Sequence, residues 1–212
     1  MTPGKLARRG AALVAAVLLL GACGDDPATF RGVALDPPEP APALRLANAA
    51  GDTFDLAAER GRAVLLFFGY TRCPDVCPTT LADWARVRNE LGDAADDVRF
   101  VFVSVDPERD TPAVAQEYAS RFDSSFVGLS AERASLPALL AAWRIAAYEE
   151  PAPLPDSVAA ADTLPPGMIG EDYFVAHSSQ TFLVDPEGRL RALYPVGTTA
   201  QDLVEDLRRV LD

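Results

Sequence analysis

The stretch Ala63-Val64-Leu65-Leu66-Phe67-Phe68-Gly69-Tyr70-Thr71-Arg72-Cys73-Pro74-Asp75-Val76-Cys77-Pro78 decides the reading of this chain. Its first six residues form a continuous apolar run, the pattern of a strand buried on both faces. From Thr79 to Leu91 the period changes. Leu81, Trp84, Val87 and Leu91 fall on one helical face, Pro78 suits a first helical turn, and Gly92 stands where a helix should stop. Two cysteines therefore sit where a buried strand hands over to a helix. Unpaired backbone N–H groups and the helix dipole favour a thiolate at such a place, and a thiolate is what both metal binding and thiol exchange require.

Working outward, Leu44-Arg45-Leu46 reads as a short strand before a Gly51-Asp52 turn, and Phe100 to Val105 as a second buried strand. Thr111-Pro112 opens a helix through Phe122, with Thr as cap and Pro in the first helical position. Phe126 to Leu129 is a third strand and Leu136 to Ile145 a third helix, with Pro137 near its start. Thr181 to Val184, the turn Asp185-Pro186-Glu187-Gly188 and Leu190 to Tyr194 make a hairpin. A final helix carries Leu203, Leu207 and Val210 toward the core, and Thr198 and Gln201 are its expected capping-box pair. A βαβ half followed by a ββα half is the thioredoxin-like order: an α/β fold with a mixed central sheet and helices on both faces. The region from Glu149 to Gly170, with Pro151, Pro153, Pro155, Pro165 and Pro166, interrupts this order as an inserted proline-rich excursion.

The N-terminus carries a different message. Lys5, Arg8 and Arg9 precede an apolar run from Ala11 to Leu20, which is shorter than the roughly 20 residues of a membrane-spanning helix and has the layout of a secretory signal over residues 1–22. Leu20-Gly21-Ala22-Cys23 resembles a bacterial lipobox, in which Cys23 receives lipid and becomes the new N-terminus. An ordinary signal cut at Ala22 is the plainer alternative. Residues 23–43, with Pro37, Pro38, Pro40 and Pro42, read as lipid anchor and semi-extended tether, and residues 44–212 as the folded domain. The destination is the bacterial cell envelope, facing the periplasm or the exterior.

With 212 residues, 49% of them hydrophobic, the chain can bury a full core; its formal net charge of −12 makes nucleic acid a poor partner. The charge grows more negative once Lys5, Arg8 and Arg9 leave with the signal. In an oxidising compartment Cys73 and Cys77 must be a disulfide, a redox couple or metal ligands. Their Cys-x-x-x-Cys spacing is one residue wider than the thioredoxin redox motif, which favours a metal clip without excluding a bridge, reversible or purely structural.

The chain has one histidine, His177, just before the C-terminal hairpin. In a thioredoxin-like arrangement that loop faces the junction bearing the cysteines. Two sulfurs and one imidazole are a soft donor set suited to copper, whereas a structural zinc site normally takes four protein ligands. Met168 belongs to the excursion and is a loop residue before it is a ligand. The chain has no Walker-type phosphate loop, and its ligands do not have the number or spacing for an iron–sulfur or haem site.

Three blocks resemble the Sco/SenC family of copper-delivery proteins: Phe68 to Pro78, Ser104-Val105-Asp106-Pro107-Glu108-Arg109-Asp110-Thr111-Pro112, and Ala176-His177-Ser178-Ser179 with Asp185 to Gly188. The resemblance implies a copper ion, Cu(I) or Cu(II), held by Cys73, Cys77 and His177. It implies a metallochaperone rather than an enzyme, whose partner is the copper-bearing subunit of cytochrome c oxidase or another envelope copper protein. Thiol–disulfide exchange through Cys73 and Cys77, or redox and copper sensing, are the alternatives. Arg72 and Ala176 depart from the histidine and aspartate expected there, and the excursion is long for the family. Asp106 to Pro112 read as strand end, turn and helix cap, with no direct copper role.

Overall fold

The computed structural model describes residues 29–151 and 173–212. The signal, Cys23, Met168 and most of the excursion lie outside the described residues.

The strands are β1 (Val33–Pro40), β2 (Arg45–Ala47), β3 (Thr53–Asp55), β4 (Ala63–Gly69), β5 (Val98–Ser104), β6 (Val127–Ser130), β7 (Ala147–Pro151), β8 (Tyr173–His177), β9 (Thr181–Val184) and β10 (Arg189–Tyr194). The helices are α1 (Val76–Leu91), α2 (Pro112–Ser120), α3 (Leu136–Ala142) and α4 (Ala200–Leu211). Six strands form one mixed sheet in the order β1-β10-β9-β4-β5-β6, with β4 parallel to β5 and antiparallel to β9. Central β4 is buried at every residue, which is why its sequence shows no alternation.

Alternate residues of β4 face different layers. Phe67 meets Trp84 of α1 edge-on at 6.3 Å and stacks on Phe102 at 6.5 Å, while Phe102 packs against Tyr118 of α2 at 5.3 Å. The neighbouring Phe68 points the other way, to Phe182 at 5.9 Å and to Trp143, beyond the end of α3, at 5.7 Å. Helical layers therefore cover both faces, and α4 packs against α1. The approach of α2 to β6 is close enough that a Cβ on Gly128 would meet the Ala115 carbonyl oxygen at 2.2 Å. This is the thioredoxin-like arrangement.

Several boundaries move for identifiable reasons. Residues 33–40, expected within the tether, are the edge strand β1, antiparallel to β10 with an irregularity between Ala34 and Glu39. That break spans Pro37 and Pro38, and an edge strand tolerates proline because one row of its N–H groups needs no partner. The buried Asp206 carboxylate anchors the entry to β1, accepting from Arg31 N–H at 2.7 Å and from the Tyr194 hydroxyl at 2.9 Å. Helix α1 begins at Val76 rather than Thr79, which brings Cys77 into its first turn. Helix α3 ends at Ala142, short of Ile145, where Arg144 turns to φ 54°. The cap of α4 is Thr199, whose hydroxyl accepts from Asp202 N–H; Thr198 instead donates to the Pro195 carbonyl. Glu149 to Pro151, placed in the excursion, belong to β7, which pairs with β8 as a separate ribbon. No helix among the described residues is long and apolar enough to cross a membrane.

Candidate metal centre

The site is built at the C-terminal end of β4. Gly69 ends that strand beneath the sulfur of Cys77, so close that a Cβ there would meet Sγ at 2.7 Å. The chain then turns through Tyr70 to Asp75, with Cys73 N–H donating to the Tyr70 carbonyl at 3.3 Å, and enters α1. Asp75 is the residue before the helix, yet its side chain makes no capping bond. A sulfur takes that role: Cys77 N–H donates to Cys73 Sγ at 3.4 Å. A helix-start donor with no intrahelical partner and the dipole behind it are thus aimed at Cys73.

Among the described residues, one group of side chains could hold a metal ion. Cys73 Sγ, Cys77 Sγ and a ring nitrogen of His177 all lie within 4.8 Å of one another. His177 is the last residue of β8, paired with Ala147 of β7, so an additional strand rather than a loop delivers it. Its Nε2 is 3.7 Å from Cys77 Sγ and its Nδ1 is 3.0 Å from the Ser178 carbonyl. A carbonyl only accepts, so Nδ1 donates to it, and Nε2 is the ring nitrogen that faces the sulfurs. Phe67 and Tyr70 meet the imidazole edge-on at 5.9 and 5.8 Å and limit its rotation. The residue before it, Ala176, offers no side-chain support, so the Ser178 carbonyl is what orients the ring.

The two cysteines are free thiols in unlike surroundings: Cys77 is fully buried and Cys73 is partly exposed. Hydrogen bonding from the Cys77 thiol holds Cys73 down at about 4, against the opposing effect of burial and with help from His177 and the backbone of Cys77 and Asp75. Donation to Cys73, then burial, pushes Cys77 strongly up. The pair therefore shares one proton, with the charge on the more accessible sulfur. Arg72 is exposed beside them.

A thioredoxin-type sheet presenting two sulfurs and one imidazole nitrogen at a strand-to-helix junction defines a class of soft-ligand metal and thiol proteins. The chain belongs to the SCO1/SenC family, whose model matches residues 36–212. It is 32% identical over 172 residues to a protein of Stutzerimonas stutzeri named for copper binding, covering 81% of this chain and 76% of that one. The apo Sco1 protein of Thermus thermophilus is similar with a TM-score of 0.70 and 36% identity, covering 86% of this chain and 98% of its own. ScoI of Bradyrhizobium japonicum, solved with copper bound, is similar with a TM-score of 0.64 and 34% identity over 80% of this chain and 98% of its own.

Sequence reading gave no part in the site to four further residues of this region. Asp106 and Asp110, read as turn and cap, are 2% and 1% exposed, and both are hydrogen-bonded to segments that carry the sulfurs and the imidazole. Arg109 and Tyr173 complete the contact. The available signal was the charged run Asp106, Glu108, Arg109 and Asp110 just past the end of a buried strand, since charge that becomes buried there must be paired.

Proposed function

We propose that this protein binds one copper ion through Cys73, Cys77 and His177 and delivers it to the binuclear copper site of cytochrome c oxidase. The observation that carries this reading is the donor set, two sulfurs and one imidazole nitrogen within 4.8 Å of one another. Soft thiolates suit Cu(I), and the imidazole extends the set toward Cu(II). Three ligands leave one side of the ion open, as cargo that must be handed on requires. Cys73 lies on the accessible side, where a partner's ligand would meet the ion first.

Titration of the reduced protein with each oxidation state tests the binding. One equivalent of Cu(I) should enter and shield both thiols from a thiol reagent, and one equivalent of Cu(II) should enter with sulfur-to-copper charge-transfer absorption. Thiols that stay fully reactive at one equivalent of Cu(I) would refute the assignment. For delivery, deletion of the gene should lower oxidase activity in cells, and activity equal to the parent strain's in copper-poor medium would count against it.

The second reading is a thiol–disulfide oxidoreductase, in which Cys73 and Cys77 cycle through a reversible disulfide. It is favoured by one observation, an accessible low-pKa sulfur above a buried proton-bearing one, which is the order of attack and resolution that exchange needs.

In this reading residues 1–22 are removed on export, Cys23 carries lipid, and a short tether to β1 holds the domain at the envelope membrane. Cys23→Ser should leave an unprocessed, unlipidated form, detectable by mass spectrometry of the N-terminus. A wild-type protein with an unmodified N-terminus in the soluble periplasmic fraction would exclude the anchor.

A further inference from the structure

The turn from β5 to α2 touches both segments that bear the candidate ligands. On one side, Asp110 accepts from the Thr71 N–H at 2.8 Å, the Thr71 hydroxyl at 2.6 Å and the Ser104 hydroxyl at 2.6 Å. Thr71 lies in the loop just ahead of Cys73. On the other side, Asp106 accepts from the Tyr173 hydroxyl at 2.6 Å and from Arg109 Nε at 2.5 Å. Arg109 also donates through Nη1 to the Tyr173 carbonyl at 2.8 Å and lays its guanidinium 3.6 Å from the centre of the Tyr173 ring. Tyr173 starts β8, the strand that His177 ends. The turn itself is closed by Arg109 N–H and Asp110 N–H, which donate to the Asp106 carbonyl at 3.2 and 2.9 Å.

Two considerations give this cluster a purpose beyond packing. Buried ion pairs add little net stability over apolar residues of the same shape, because desolvation offsets the attraction. And among the described residues β8 pairs only with β7, a two-stranded ribbon of the kind that is marginal unless something else holds it. The Asp106–Arg109–Tyr173 contact supplies such a hold at the opposite end of β8 from the imidazole.

We propose that Asp106 to Asp110 form a positioning bracket: the Asp110 arm places the cysteine loop, the Asp106–Arg109 arm places β8 and hence His177, and the turn between them sets the sulfur-to-nitrogen spacing. The inference rests on the copper reading of the site. These residues do not touch the ion; they govern where its ligands stand. Loosening the Arg109 arm frees the imidazole while leaving the thiols in place, so it weakens Cu(II) and spares Cu(I). Loosening the Asp110 arm moves Cys73, so it weakens both.

The test uses the full-length protein in detergent. In Arg109→Met, which keeps most of the stem over Tyr173 and removes the fork, Cu(II) affinity should fall by about tenfold or more while Cu(I) affinity stays within about threefold. The charge-transfer bands should move toward those of His177→Ala. Asp110→Asn should lower both affinities by similar factors. In a His177→Ala background the Arg109→Met change should cost Cu(II) nothing further, because the ligand it positions is gone. A merely structural role predicts equal losses for the two ions and losses that add to those of His177→Ala; either result overturns the bracket. If Arg109→Met does not fold by circular dichroism, Tyr173→Phe removes the Asp106 hydrogen bond alone, and an unaltered Cu(II) spectrum there overturns it equally. A wild-type protein that takes up neither ion overturns the site reading, and the bracket with it.

Discussion

Replacing His177 by alanine is expected to remove most Cu(II) binding while leaving a weakened Cu(I) complex. The change deletes the Nε2 ligand and leaves both sulfurs, the Cys77 N–H that donates to Cys73 Sγ and the buried core untouched. Cu(I) accepts two thiolates, so its affinity should drop by no more than about tenfold. Cu(II) loses its nitrogen ligand and should weaken by more than the roughly 10–100-fold that follows loss of an outer-shell partner. Because His177 is only partly buried, at the end of a strand, the fold should survive, with an unchanged circular dichroism spectrum. A metallochaperone that uses three ligands should then fail to support oxidase activity in cells, whereas a disulfide reductase, which needs two thiols and no imidazole, should retain its exchange rate. Measuring both in one variant separates the two readings. Full oxidase activity with unaltered copper binding would show His177 to be an ordinary residue of β8.

The second large effect concerns pH. An unperturbed thiol titrates near 8.5, so its alkylation rate falls by several hundredfold between pH 8 and pH 5 as thiolate disappears. Cys73 is held down at about 4, so its thiolate persists through that window and is lost only as pH falls toward 4. Its rate with iodoacetamide in the reduced, copper-free protein should therefore change by less than about twofold from pH 8 to pH 5. Cys77, pushed upward and fully buried, should stay unreacted throughout, as peptide mapping of the alkylated protein will report. A tenfold loss of Cys73 labelling per pH unit would mean that the helix start and the Cys77 proton do not stabilise the thiolate.

Much of the fold was legible in the chain because its strongest signals are local. A continuous apolar run reports a strand buried on both faces wherever it occurs, and β4 has one. The 3.6 period of Leu81, Trp84, Val87 and Leu91 reports a helix face, and all four are buried. Gly92, Thr111 and Pro112 act through their own backbone or side chain, so their positions as stop, cap and first helical residue follow from identity alone. Where a pairing partner lies far along the chain, this reasoning fails. Val33 to Pro40 have the composition of a tether and become a strand only because β10 offers an unpaired edge and Asp206 binds the Arg31 N–H.

The same division runs through the site. By itself the sequence determined which soft donors exist, Cys73, Cys77 and one histidine, and that the cysteines stand at a strand-to-helix junction, because a Cys-x-x-x-Cys spacing and a helix start are properties of neighbouring residues. That an imidazole a hundred residues away closes on those sulfurs was expected only through the thioredoxin-like order and the family resemblance; tertiary structure decided that a strand delivers it, which nitrogen it presents, and which cysteine carries the charge. It also decided that Asp106, Arg109 and Asp110 are buried and joined to both ligand segments. The physical reason is range. Propensity and periodicity act within a few residues, whereas the distance between a sulfur and an imidazole nitrogen, and the desolvation that sets a pKa, exist only after the sheet has brought β4, β5 and β8 together.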